Sequence, residues 1–230
     1  PIILGQPIGF TRGVDNYYIE DEYSALEKVR SNIHSKTVSL FHFGGIHYPY
    51  GFHTLKFGGN DYRQKVQALE KELGITKAVL PRDQFDETHR VGEDKELLFR
   101  YKNIVEHLYA QKEYKRLTEL YFEGVDYFLE HRFRPFLTEL RKVLGDSNHL
   151  IVFFGDHGED WSVESKGHYK SLTAGVLHVP LIIVGNAIAP HVVENNVRTI
   201  DIAPTVLDAL GLKISEKMDG EILDLQNPSE

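Results

Sequence analysis

The chain contains no cysteine. That absence excludes disulfides and zinc–thiolate sites. It leaves the redox compartment unread, because secreted proteins can also lack cysteine. No apolar run approaches the roughly 20 residues needed to span a bilayer, so no membrane segment is expected. There is no initiator Met before Pro1 and no signal-peptide pattern, as in a processed or truncated chain. A periplasmic, secreted or cytoplasmic location therefore stays open. A basic excess is missing too: the formal net charge is −8. Such a surface repels phosphate backbones and argues against nucleic acid as a partner. A small anionic ester remains compatible, because a local cluster of Lys, His and metal overrides the global sign.

What is present suits a soluble α/β domain. Of the 230 residues, 41% are hydrophobic, enough for one large core or a domain with a small extension. Residues 1–36 read as an irregular leading segment and a helix from Glu20 to Ser31, with Tyr23, Leu26 and Val29 at helical spacing. Residues 37–43 read as a buried strand stopped by Gly44-Gly45. The loop Ile46-His47-Tyr48-Pro49-Tyr50 follows, then a polar surface insertion over about 54–96 with one short helical stretch near Arg63–Leu73. Beyond it Leu117, Leu120, Tyr121, Val125 and Phe128 make one helical stripe, which Pro135 is expected to kink or split. Leu150-Ile151-Val152-Phe153-Phe154 reads as a central strand of a parallel sheet, covered on both faces, and Val179-Pro180-Leu181-Ile182-Ile183-Val184 as a second such strand, with Pro180 at its start. A helix over Val206–Leu210 closes at Gly211.

The chemistry gathers at strand ends, where ligands bind in open α/β sheets. Gly155-Asp156-His157-Gly158-Glu159 follows the Phe154 strand directly. A carboxylate beside an imidazole on a tight turn can hold a divalent cation from one side. The bland reading is an Asp-capped turn with no metal. Lys166-Gly167-His168-Tyr169-Lys170 comes next. Its lysines supply point charge, and its histidine a donor or a further metal bond, for a tetrahedral oxyanion. The alternative is a solvated basic loop. His47 also follows a strand end and can face the same pocket, whereas His42, inside its strand, is expected to be packed.

These residues resemble the sulfatase family. The order is His47-Tyr48-Pro49-Tyr50, then Phe154-Gly155-Asp156-His157-Gly158-Glu159, Gly167-His168, His178-Val179-Pro180-Leu181, Asp201-Ile202-Ala203-Pro204-Thr205 and Asp219-Gly220. The likeness covers roughly residues 37–53 and 117–220; it is specific in combination, not piece by piece.

The resemblance implies an alkaline-phosphatase/sulfatase-like mixed sheet flanked by helices, incomplete at the N-terminus, with residues 37–230 as the C-terminal part of the α/β domain. It implies Asp156 and His157 as ligands of a divalent metal, calcium first, with zinc or manganese as alternatives. His47 matches the histidine that contacts sulfate; His168, Lys166 or Lys170 matches the group that binds the sulfate oxygens. Asp201, Pro204 and Thr205 look structural.

Two departures stand out. Where sulfatases commonly carry an aromatic-acid pair before Val-Pro, this chain has Ser171-Leu172-Thr173-Ala174-Gly175. The nucleophile motif Cys/Ser-x-Pro-x-Arg and the early Asp-Asp metal pair are not found. The expectation is a portion of a sulfatase, inactive as an isolated fragment and completed by a missing N-terminal segment. Two other functions stay open. One is an alkaline-phosphatase-like phosphodiesterase or phosphotransferase with two zinc ions. The other is a non-catalytic binding module on the same fold.

Overall fold

Helical spacing of apolar residues builds the longest elements of the chain. The computed structural model describes residues 14–16, 22–50, 52–76, 94–161, 167–168 and 171–226, excepting the side chains of 22, 52–61 and 94–96. The chain folds into two compact units. One comprises Pro1–Phe41, Phe136–Asp156 and Val179–Glu230; the other comprises His42–Pro135 and His157–His178.

The second unit is helical. α2 (Phe52–Glu72), α3 (Asp94–Ala110) and α4 (Tyr114–Phe128) enclose its core. On α3, Leu97, Tyr101, Ile104, Val105 and Leu108 form one buried stripe at helical spacing. Val66 and Leu69 of α2 and Leu117 and Leu120 of α4 pack with them. Each such side chain contributes about 1.5–3 kcal/mol on burial. Arg100 on α3 grips Glu70 on α2 with two parallel bonds, Nε to Oε1 at 2.9 Å and Nη2 to Oε2 at 2.5 Å. Within the stretch read as a polar insertion, α2 thus carries core residues, Val66 and Leu69.

α4 ends in a π-helical turn, Leu129–Phe133, before α5 (Arg134–Leu144) begins. Pro135 has no N–H to return to the carbonyl of His131, and the ladder re-forms with Arg134 N–H on Leu129 O. The expected split at Pro135 takes this form. Gly145, with φ +51, stops α5, donating to Arg141 O at 3.0 Å.

The first unit holds α1 (Glu22–Ser31), most of α5, strands β1 (Leu150–Phe154) and β2 (Leu181–Gly185), and α7 (Ile202–Ala209). The strands pair antiparallel, Leu150 against Gly185 through Phe154 against Leu181. This overturns the parallel, doubly covered reading, since Ile182 and Val184 are each 53% exposed. A short apolar run states that a strand is buried somewhere, not in which direction its neighbour runs. Residues 37–43 also depart from expectation. They are extended but pair with no strand among the described residues. Val38 and Leu40 face outward, while Phe41 packs edge-on against Phe136 at 4.8 Å. His42 is exposed rather than packed. No helix among the described residues is long and apolar enough to cross a membrane.

Asp201 organises the C-terminal stretch. A 3-10 turn (Thr199–Asp201) leads into α7, which starts earlier than the expected Val206. The buried Asp201 carboxylate accepts from Arg198 N–H at 2.8 Å, Arg198 Nη2 at 2.9 Å and Glu221 N–H at 2.9 Å. Thr205 donates to Asp201 O at 2.6 Å and accepts from Leu223 N–H at 3.0 Å. The Asp201 and Thr205 side chains thereby hold the tail. Burial alone would raise the Asp201 carboxyl; the Glu221 N–H and the Arg198 guanidinium and N–H outweigh it and hold it below the ordinary carboxylate value.

A lowered folded value means stability that is fully present above the unfolded pKa, near 4, and lost as pH falls through the folded value. Asp201→Ala should therefore cost about 2–4 kcal/mol at neutral pH in denaturant unfolding, and clearly less at pH 3. An equal cost at both pH values would contradict this account.

Candidate active site

Two segments of the second unit meet here. The first is the turn after residue 43. His47 N–H donates to Gly44 O at 3.3 Å, and Tyr50 N–H to His47 O at 2.9 Å. The Tyr48–Pro49 bond is cis, and Tyr50 has φ 57. α4 approaches this turn so closely that a Cβ at Gly124 would lie 2.8 Å from Tyr50 O. The Tyr50 side chain is fully buried, edge-on to Tyr48, Tyr121 and Trp161.

The second segment runs from His157 to His168. An isolated antiparallel bridge joins Asp160 and Gly167, with N···O distances of 3.0 and 2.9 Å. In that register Glu159 stands directly opposite His168, so both side chains leave the ribbon on one face. Gly158 N–H donates to Val176 O at 2.8 Å, and Thr173 Oγ1 donates to Asp160 Oδ2 at 2.6 Å. These bonds anchor the ribbon to the start of α6 (Ala174–Leu177).

Three imidazoles converge as a result. The rings of His157 and His168 lie 3.8 Å apart, and His47 stands edge-on to His168 at 5.5 Å. The acceptors beside them fix the tautomers, because a carbonyl or carboxylate oxygen only accepts. His47 Nδ1 donates to Tyr48 O at 2.8 Å, His157 Nδ1 to Gly158 O at 2.9 Å, and His168 Nδ1 to Glu159 Oε1 at 2.9 Å. In each neutral ring Nε2 is then the acceptor nitrogen.

Glu159 is nearly enclosed, its side chain 6% exposed, and His168 is 14% exposed. The other carboxylate oxygen accepts from Tyr50 OH at 3.1 Å, and Tyr50 OH in turn accepts from Trp161 Nε1 at 2.9 Å. Burial, followed by the Glu159 charge, pushes the Tyr50 phenol far above its ordinary value. Tyr50 therefore stays protonated and keeps donating. Tyr109, with its hydroxyl 3.4 Å from that of Tyr50, is pushed up to about 12, chiefly by burial.

Of the sequence-predicted residues, the structure brings His47, His157 and His168 together. Asp156 ends the β1 turn as an exposed carboxylate within the other unit. Lys166 and Lys170 lie outside the described residues. Sequence reasoning assigns no role to Glu159, Tyr50 or Trp161. Glu159 is visible in the Asp-His-Gly-Glu run, and its place opposite His168 needs only the Asp160–Gly167 pairing.

His157, Glu159 and His168 offer ligand atoms within 4.8 Å of one another, the only such group among the described residues. One carboxylate and two imidazoles are donors for a nitrogen-accepting divalent ion. They do not fit calcium, which takes about six to eight oxygens.

The Sulfatase family model matches residues 8–212. Arylsulfatase K of Xenopus laevis is 34% identical over 90 residues, 36% of this chain and 17% of the relative. Arylsulfatase K of Homo sapiens is 34% identical over 73 residues, 31% of this chain and 13% of the relative. The choline-sulfatase of Rhizobium meliloti is 26% identical over 107 residues, 46% of this chain and 21% of the relative. These matches thus span about a fifth or less of each relative's length. No solved structure matches. With the family model covering most of the chain and the histidine motifs in the family's order, this protein belongs to the sulfatase family.

Proposed function

We propose that the protein hydrolyses sulfate esters, and that the His47, His157 and His168 cluster is its anion-handling site. The observation carrying this reading is the convergence of three imidazoles, each with Nδ1–H bound to an oxygen, within sequence motifs of the sulfatase family. Arylsulfatase K and choline-sulfatase are sulfatases by name, and a small anionic sulfate ester is the substrate class assigned here.

His47 and His168 are the residues assigned to the sulfate oxygens, with Lys166 and Lys170 as cationic partners. With Nδ1–H already bound to an oxygen, each ring donates to a sulfate oxygen only in its protonated form, through Nε2–H, and donors so placed stabilise the charge on those oxygens. Asp156 and His157 are assigned to a divalent cation, which would supply electrostatic stabilisation of the same oxygens. Calcium is the ion the family resemblance implies, with manganese as an alternative, but the nitrogen-rich donors near His157 favour zinc. No residue of the chain is assigned as nucleophile. The sheet expected around this site is the family's mixed sheet flanked by helices.

The test is turnover of an aryl sulfate by the purified native protein, beside the matching aryl phosphate diester. The expected result is preference for the sulfate, with kcat/KM reduced about 100-fold in His168→Ala and roughly tenfold or more in His47→Ala. Faster hydrolysis of the phosphate diester would replace this reading with the zinc phosphodiesterase. Unchanged rates in both variants would remove His47 and His168 from the site, and turnover of neither ester by the unaltered protein would leave a binding module.

A further inference from the structure

We propose that Glu159 is the positioning residue of this site, holding the Nδ1–H of His168 so that Nε2 is the ring nitrogen turned towards the sulfate ester. The inference deepens the sulfatase reading and rests on it for the identity of the substrate.

Register is the first support. The Asp160–Gly167 bridge places Glu159 and His168 as a directly opposed pair, so their contact is set by backbone bonds and not by a chance rotamer. Occupancy of the carboxylate is the second. Oε1 accepts from His168 Nδ1 and Oε2 accepts from Tyr50 OH, so Glu159 lies in a fixed chain running from Trp161 Nε1 through Tyr50 to His168. Proximity is the third. Gly167, where φ is +97, lies so close to the carboxylate that a Cβ there would stand 2.8 Å from Glu159 Oε2.

A carboxylate so enclosed does two things for an imidazole. It accepts the Nδ1 proton, and it fixes the plane of the ring and with it the direction of Nε2. Glu159 touches no reacting atom in this assignment; it acts through His168.

The experiment reads the histidine rings of the full chain by long-range nitrogen–proton NMR. It compares the unaltered protein with Glu159→Met, which fills the volume without an acceptor, and Glu159→Gln, which keeps an accepting oxygen. The unaltered protein should show His168 as the Nδ1–H tautomer. Glu159→Met should shift that ring towards Nε2–H while the His47 and His157 signals, tied to backbone carbonyls, stay in place and report an intact fold. Glu159→Gln should keep the Nδ1–H form.

In the native protein, kcat on an aryl sulfate should fall roughly 10- to 100-fold in Glu159→Met with KM little changed, and Glu159→Gln should recover part of it. An unchanged His168 tautomer in Glu159→Met overturns the proposal. So does a case in which the tautomer shifts but kcat holds. If the unaltered native protein turns over no sulfate ester, the sulfatase reading falls, and the ring spectra still decide what Glu159 does to His168.

Discussion

Tyr50→Ala should lower stability by about 4–5 kcal/mol in denaturant unfolding followed by circular dichroism, enough to change the unfolding constant about a thousandfold. Truncating a fully buried aromatic ring costs about 3–5 kcal/mol from lost transfer energy and the cavity left behind. Polar loss adds to this, because Trp161 Nε1 and Glu159 Oε2 both lose their Tyr50 partner in an enclosed setting.

Tyr50→Phe separates the two contributions. It keeps the ring against Tyr48, Tyr121 and Trp161 and removes only the hydroxyl, so about 1–3 kcal/mol is expected. If Tyr50→Phe costs as much as Tyr50→Ala, the hydroxyl network dominates and the packing account fails. If it costs nothing, the chain from Trp161 to Glu159 has no energetic weight.

Gly158→Ala should destabilise by about 3–4 kcal/mol and remove most activity at the site. A Cβ there would stand 2.1 Å from Gly175 O, a backbone atom that cannot rotate away as a side chain does. Gly175 is itself packed against the ribbon, where a Cβ on it would stand 2.8 Å from Glu159 O. Relieving the clash means parting Gly158 from α6 and breaking its bond to Val176 O. His157 and Glu159 flank Gly158, so both would shift with it, and the distance from His168 Nδ1 to Glu159 Oε1 would be the first casualty. Full stability with normal turnover would show that the ribbon tolerates the movement.

The sequence locates the chemistry better than the architecture. Gly155-Asp156-His157-Gly158-Glu159 marks its own place because glycines flank polar residues directly after an apolar run, and residues 150–154 are a strand. Helical spacing is equally legible: Leu117, Leu120 and Phe128 are buried on one face of α4. Residues 37–43 mislead because hydrophobicity alone cannot supply a ladder partner, and an extended segment needs only one packed face to keep its shape. α2 is hidden because its core positions, Val66 and Leu69, are few among charged neighbours. Tyr50 reads as loop because a tyrosine after proline gives no sign of burial, which here comes from helices far away in sequence. Glu159 stands in the motif with no role of its own because its partner lies across a bridge that no periodicity reveals.

The chain has a single tryptophan, and Trp161 sits on the hydroxyl that holds Glu159. Its emission is therefore an assigned optical probe that needs no label. A change in intensity or wavelength when an anion or cation is added reports on the Tyr50–Glu159 pair, with no second indole to confuse the signal. On heating, the same emission follows the helical unit alone, while strand β1 belongs to the other unit. Comparing it with a whole-chain signal would show whether the two units melt as one.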